Sequence, residues 1–572
     1  MIRILSLPLF LVASVVTPGL HTNNCRCLYG QSCWPNNSAF SSLETQLSQS
    51  IIRPIPVASP CYPASSPGGN CTDVQVHLHE GNWRADQSGA LQNLNFETYT
   101  YKNGTISGCY VNASLGFLCE QGSIPPIGVD ARSVSDVQAA VKFAAKNNLR
   151  LVVKNTGHDY LGRSTARGGF MLWTHHMKDI VYSPAFIPEG AQSSEAFNAI
   201  TLGAGVQWHE AYNAVQSHGR FIVGGFSAGG SVGAAGGWVM GAGHSAFAPR
   251  HGLGVDNVIQ FEIVTAKSEH LIVNSNQNSD LFWALRGGGG GTYGVVISTT
   301  YRTHEEFPLT SVIMVANFSS TTVAKSVVTE YLKIHPALAD AGWGGYSSLS
   351  NATLQMLYVA PNRSVADTNL TMNTFFDFVS NVTGAPTQAF LLPYDSFFSW
   401  YTQFFSLGVG QVGYNVELGS RLLPRQMVET NAEKVADIML SLEGGVALNF
   451  VAGGAVSKVD PESTGLNPSW RKAIAHVYFT EVWNDGDSSI VIEQARQRLR
   501  DKLNILDGIA PDSGTYLNEA SLYEKDFQKT FFGAHYKKLK AIKNKYDPKG
   551  LFIVASGVGS DDWDSSLNCR LL

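Results

Sequence analysis

Between Gly224 and Gly237 the chain reads Gly-Gly-Phe-Ser-Ala-Gly-Gly-Ser-Val-Gly-Ala-Ala-Gly-Gly, a stretch with almost no side-chain bulk. A flexible linker is one reading, but Gly/Ser linkers rarely carry Phe, Val and Trp in and around them. Backbone laid along a flat or anionic ligand accounts for the composition better. The 56 glycines of the chain run above average usage and cluster between Gly203 and Gly294. Backbone in that region is therefore expected to pack closely against something.

Upstream, the apolar run Leu149-Arg150-Leu151-Val152-Val153 reads as a strand. It runs straight into Lys154-Asn155-Thr156-Gly157-His158-Asp159-Tyr160, a turn that presents one histidine. Such a turn offers successive backbone N–H groups to an anion, with Gly157 allowing close approach or positive φ. It also sets an imidazole nucleophile beside that anion. Taken alone, the same pattern suits an ordinary hydrogen-bonded loop histidine.

A length of 572 residues predicts two or three domains. Hydrophobic content of 44% with 15% charged residues is that of a soluble globular protein. A net charge of −5 provides no basic face, so nucleic acid is not expected as a partner. Met1-Ile2-Arg3 followed by apolar Ile4 to Val16 and Thr17-Pro18-Gly19 reads as a secretory signal peptide over residues 1–20, with cleavage between Gly19 and Asn23. The run is too short for a membrane span, and no later segment reaches 18 apolar residues. These features predict a secreted, extracellular product. Seven of the eight cysteines (Cys25, Cys27, Cys33, Cys61, Cys71, Cys109, Cys119) precede residue 120, and the eighth is Cys569. In an oxidising compartment they suggest disulfides that pin an N-terminal segment to the body and tie down the tail. A zinc site on Cys25, Cys27 and Cys33 is the competing reading. N-glycan acceptors stand at Asn36, Asn70, Asn103, Asn112, Asn317, Asn351, Asn362, Asn369 and Asn381, with none between residues 120 and 316.

Regular structure is expected from Pro125 onward, with Ser135 as N-cap of a helix carrying Val137, Ala140, Val141, Ala144 and Ala145 on its apolar face. Strands are expected over Ile200–Gly203 and Gln260–Ala266, and a helix over Trp208–Gly219. Aromatic residues thicken after Pro308, where a second domain with a sheet and an aromatic pocket wall is predicted. Gly289-x-Gly291-x-x-Gly294 matches a dinucleotide fingerprint only on paper, because a helix-like segment precedes it and a strand follows. No P-loop sequence is present. His175, His176, His209, His244 and His251 show no metal-ligand spacing, so no metal is expected.

Lys154 to Tyr160, then Gly203-Ala204-Gly205-Val206-Gln207-Trp208, Gly252 to Val258 and Asp280 to Gly294, resemble successive blocks of the vanillyl-alcohol-oxidase (PCMH-type FAD-binding) superfamily. The run Tyr516-Leu517-Asn518-Glu519 through Gly533 to Phe552 is similar to the berberine-bridge-enzyme-type tail. The N-terminal Cys25-Arg26-Cys27 with Cys33-Trp34-Pro35 resembles secreted fungal oxidoreductases of isoamyl-alcohol-oxidase-like kind. The resemblance covers about residues 120 to 560 in order. It implies an α+β fold: a PCMH-type FAD-binding domain of two α/β subdomains, plus a substrate domain with an antiparallel sheet. The corresponding boundaries are a disulfide-tied extension over 21–120, the FAD domain over 121–305 and the substrate domain over 306–510. A C-terminal segment over 511–560 completes the FAD domain, and 561–572 form a tail.

Carried across by residue, the resemblance makes Asn155, Thr156, Gly157 and Asp159 part of a pyrophosphate loop, with His158 bonded covalently to the flavin 8α-methyl. Gly229, Gly230, Ser231, Gly233, Gly236 and Gly237, with Val258 and Ile263, would line FAD by backbone contacts. Tyr516 and Asn518 would close over the ring, and Tyr160 would sit beside it. Many berberine-bridge-like members add a cysteinyl bond at the position of Gly229–Gly230, but no cysteine lies between Cys119 and Cys569. A single histidyl link is therefore expected. The implied activity is that of an oxidase taking a hydride from an alcohol or aromatic secondary-metabolite substrate and passing electrons to O2 to give H2O2. A dehydrogenase with another acceptor, or a redox-inactive glycosylated binding protein, is the alternative. The base would be Tyr160, Tyr516 or an acidic residue in the substrate domain, and Tyr160 would need a neighbouring cation to lower its pKa from about 10. His244 would be a packed core histidine or would approach the flavin.

Overall fold

The computed structural model describes residues 24–62, 69–408 and 410–571, so the expected signal peptide lies outside the described residues. The fold is α+β, built on three principal sheets. In the first, Ile127–Asp130 and Leu151–Lys154 flank Phe170–Trp173 in parallel. The helix Val134–Lys146 buries Val137, Ala140, Val141 and Ala144 against it, whereas Ala145, expected on the same face, is exposed. Its N-cap is Ser133 and not the expected Ser135, because Asp136 at the third helical position completes a reciprocal capping box with Ser133. Ser135 already lies within the first turn.

The second sheet runs in the order His270–Asn274, Val258–Val264, Val295–Arg302, Phe197–Gly203, Ile180–Phe186. Every pairing in it is antiparallel. The first subdomain is thus built on a parallel sheet and the second on an antiparallel one. The third sheet has seven antiparallel strands between Leu309 and Trp483. Helices Thr321–Asp340, Arg425–Ser441 and Ser489–Leu506 cover one face, burying Val327, Leu332, Val435 and Leu499 with Val312 and Leu448 of the strands. On the other face, registers align Ile313 with Leu357, Leu357 with Tyr346, Tyr346 with Asn449 and Asn449 with His476. Directly opposed residues share a face, so this row is one continuous wall.

After the third sheet the chain returns to the first two. The helix Tyr536–Tyr546 packs on Ser279–Leu285, and Leu551 and Phe552 enter the core under the parallel sheet. Cys25 is bonded to Cys569, Cys27 to Cys33, Cys61 to Cys71 and Cys109 to Cys119. That pairing removes the zinc alternative. All nine glycan-acceptor asparagines are exposed. Among the described residues, no helix is long and apolar enough to cross a membrane.

Burial lowers the pKa of His251 and His335 to about 3 and of His304 and His476 to about 4. Each is neutral when folded, whereas an unfolded histidine titrates near about 6.5. Their contribution is full above pH 6.5 and is lost as the pH falls from there toward 4 and 3. The denaturation midpoint will therefore fall steeply between about pH 6.5 and pH 4. A midpoint unchanged across that window in a pH series of urea titrations would contradict this burial.

Candidate active site

The turn after Leu151–Lys154 opens onto a cavity enclosing about 1230 Å³. All of Asn155, Thr156, Gly157, His158, Asp159 and Tyr160 line it, as do Gly233, Gly236, Gly237, Tyr516 and Asn518. Gly157 has φ +81°, the left-handed region the sequence pattern called for. Gly237 faces open space, where an added Cβ would meet nothing within 4 Å.

The N-terminal extension braces this turn from behind. Gln92 donates its backbone N–H to Gly157 O at 3.2 Å and its side-chain amide to Thr156 O at 2.9 Å. Asn82 donates to Gly229 O at 2.9 Å, and Gln207 joins Asn82 Oδ1 to Ser231 O. The extension is thus a structural clamp on both the histidine turn and the glycine segment.

His158 is half-buried in the cavity wall, with Nε2 2.8 Å from Ser231 Oγ. Desolvation, helped by the charge of Arg84, lowers its pKa to about 3, so the imidazole is neutral. From the C-terminal segment, Asn518 donates to Gly237 O at 2.9 Å and to Trp238 O at 3.1 Å. Arg163 donates to Asn518 Oδ1 at 2.9 Å while its Nε bonds Asp159 at 3.1 Å. This chain of contacts ties the tail, the glycine segment and the histidine turn into one wall.

Five expected lining residues stand off this cavity, one of them Ser231, which reaches it only through its bond to His158. Val258 and Ile263 lie in the buried strand Val258–Val264 and do not line the cavity; Ile263 is the layer behind Gly294. Gly229 and Gly230 also lie off the cavity lining, at φ +65° and +59°. A Cβ on Gly230 would strike Tyr401 and His209, so these glycines serve a tight turn against protein.

Neither tyrosine is set up as a base. Burial, then Glu519 and Tyr478, push the Tyr160 phenol above its ordinary range, and no cation faces it. Burial likewise raises Tyr516, whose hydroxyl donates to Trp238 O at 3.4 Å and accepts from Asn518 at 2.9 Å.

Several further residues line the cavity beyond the cofactor residues carried across by the resemblance. Gly290, Gly291 and Gly294 border the cavity, although they follow the helix Ser279–Leu285 and precede Val295–Arg302, as the rejection of a Rossmann reading required. His244 and Glu519 face the same space. A second, wider cavity of about 2080 Å³ shares His158, Tyr160, Phe226, His244 and Glu519 with the first. Its far wall is the third sheet, through Ile313, Leu357, Tyr346 and Tyr478, with Phe404 and Phe405 at the side.

The residues present fit FAD. The first cavity supplies bare glycine backbone on two sides for a flat ring system and a diphosphate. Buried Asn155 Oδ1 has no hydrogen-bond partner among the described residues, which leaves an acceptor at the turn. Gly237→Val would push two methyl groups into that space at a cost of about 1–3 kcal/mol, or roughly 5- to 150-fold in FAD affinity. Visible absorbance per chain should drop while the circular-dichroism melt holds. Full flavin content in that variant would show that FAD does not lie over Gly237.

Fold and cavities together define a flavin-dependent oxidoreductase. Residues 125–274 match the family described as the FAD binding domain, and residues 515–559 match berberine and berberine like. An uncharacterised FAD-linked oxidoreductase of Arthroderma benhamiae is 37% identical over 571 residues, covering 96% of this chain and 96% of its own. A VAO-type flavoprotein oxidase of Thermothelomyces thermophilus, VAO615, is 32% identical, covering 99% of this chain and 99% of its own. The crystal structure of the VAO-type flavoprotein MtVAO615 from Myceliophthora thermophila superposes with a TM-score of 0.86 at 28% identity, covering 96% of this chain and 100% of that one. The chain belongs to the FAD-linked oxidoreductases of the vanillyl-alcohol-oxidase type with a berberine-bridge-type C-terminal segment.

Proposed function

We propose that this enzyme is a secreted, N-glycosylated oxidase that carries FAD on a single histidyl bond at His158. The observation that carries the reading is the state of His158: neutral, at the cavity wall, with Nε2 engaged by Ser231. Its Nδ1 makes no hydrogen bond among the described residues, which supports that nitrogen as the one that attacks the 8α-methyl. All eight cysteines are paired, which argues against a second, cysteinyl bond. Bound FAD supplies a two-electron acceptor for hydride and a route for those electrons to O2.

The protein's share is positioning and proton handling. Asn155 to Asp159 with Gly233, Gly236 and Gly237 would hold the cofactor, and Asn518 would fasten the tail across it. Phe226, Tyr346, Phe404, Phe405 and Tyr478 give the second cavity an aromatic, largely apolar wall. That lining supports an aromatic or secondary-metabolite alcohol as substrate, held with its reacting carbon near His158 and Tyr160. The oxidase name of the Thermothelomyces relative supports O2 as acceptor.

The test is direct. Protein unfolded in guanidine and passed through a desalting column should keep its yellow colour. A panel of benzylic, allylic and aliphatic alcohols should include one that bleaches the flavin and yields peroxide in air. Colour lost on desalting rules out the covalent link, and bleaching without peroxide makes the enzyme a dehydrogenase.

A further inference from the structure

Glu519 stands directly after the Tyr516–Asn518 clasp and, among the described residues, is the one carboxylate that lines both cavities; Asp159 lines the first alone and is bound to Arg163. Its two oxygens face two histidines from different parts of the chain. Oε1 is 3.2 Å from His244 Nε2, at the end of the glycine segment. Oε2 is 3.4 Å from His476 Nδ1, on the strand Ala473–Trp483. His476 is fully buried, and neither ring nitrogen has a hydrogen-bond partner among the described residues. His244 Nδ1 is likewise unpartnered. Glu519 itself retains 26% side-chain exposure and lines both cavities.

We propose that Glu519 is the catalytic base of this oxidase, with His244 and His476 as positioning residues that hold its two oxygens and share the proton it collects. The inference rests on the oxidase reading above. In the step, the substrate O–H bond breaks and its proton goes to a Glu519 oxygen. The adjacent C–H hydrogen leaves with both bonding electrons to the bound flavin, and the C–O single bond becomes a carbonyl. Glu519 is then a neutral acid, able to pass its proton to an unpartnered histidine nitrogen.

The surroundings favour this carboxylate over the tyrosines. Tyr160 from the turn, Tyr346 and Tyr478 from the third sheet and Tyr516 from the tail all feel its charge, and each is held in its neutral form. Burial opposes the Glu519 charge, but His244 and His476 outweigh it and keep the group ionised below the usual glutamate range. An ionised oxygen open to the substrate side is what a proton acceptor needs. A carboxylate bridging two rings, with each oxygen on a different histidine, also suits proton sharing better than convergence of three ligands on one ion.

Glu519→Gln keeps the shape and removes the charge. With flavin content and melting temperature as in wild type, its flavin-bleaching rate should fall by about 100-fold or more, while the half-saturating substrate concentration stays within about threefold. Glu519→Asp should recover part of that rate. Benzoate, titrated into oxidised enzyme and followed by the flavin spectrum, should bind Glu519→Gln at least about tenfold tighter than wild type, since a carboxylate no longer faces it. This arm requires no turnover. Equal benzoate affinity, or bleaching as fast as wild type, overturns the base assignment. So does one equivalent of divalent metal in wild type that is absent from Glu519→Gln, which would make the trio a metal site. Failure of every alcohol to bleach the wild-type flavin counts against the oxidase reading instead, and the benzoate comparison still decides Glu519.

Discussion

His158→Ala protein should fold, bind some FAD reversibly, and release all of it on denaturation. The side chain makes one hydrogen bond, to Ser231, and is half-buried, so its loss removes little packing. The remaining cradle is intact, because the glycine backbone and Asn155 do not depend on it. Loss of the bond should also lower the rate of flavin reduction, since a histidyl link raises the cofactor's electron affinity and fixes its position. Mass spectrometry of the intact chain is the decisive measurement. Wild type should exceed its polypeptide mass by one FAD, and the variant should not. An FAD-sized excess surviving in His158→Ala would place the anchor elsewhere.

Arg84→Met should be among the most damaging single changes outside the cavity. Arg84 is fully buried, paired with Glu97, and donates to Leu91 O at 2.7 Å and Leu78 O at 3.3 Å. Glu97 Oε1 in turn accepts the Leu91 N–H at 2.7 Å. Methionine fills much of the volume but leaves Glu97 buried without its partner, at a cost of about 3–5 kcal/mol. Leu91 and Gln92 lie directly on Gly157 and Thr156, so the loss should reach the flavin as well as the fold. A lowered denaturation midpoint with faster bleaching of visible colour is the expected pair of results. The double variant Arg84→Met, Glu97→Leu should recover much of the midpoint, because no charge is then left uncompensated. No recovery would mean that the hydrogen bonds to Leu91 and Leu78 matter more than the pair.

The histidine turn was legible because a buried strand, a glycine with positive φ and a single nucleophile follow one another without interruption. Gly233, Gly236 and Gly237 were legible for a related reason: bare backbone in an apolar setting implies a close neighbour. The same reasoning failed at Gly229, whose close neighbours are Asn82 and Gly408, and at Gly230, whose close neighbours are Tyr401 and His209. It failed at Val258 and Ile263 because a continuously apolar strand does not reveal which layer lies next to a ligand. Ser133 outranked Ser135 through a reciprocal bond to Asp136 that spacing alone left open. His244 was singled out by its place after the glycine segment, but nothing local joined it to Glu519 or His476. His244 and Glu519 are 275 residues apart, and only the return of the tail across the glycine segment joins them. Sheet register then brings His476 in line with Tyr346 and Asn449, a relation set by strand pairings within the third sheet.

That returning tail has a consequence for how the enzyme is made. Asn518 and Glu519 complete the cavity whose opposite wall is formed by residues 155–160. A nascent chain therefore displays residues 155–160 long before the groups that complete the cavity have left the ribosome. On the proposed histidyl link, cofactor attachment would be a late event of maturation. A chain that ends before Tyr516 would have the anchor and no closed chamber in which to use it.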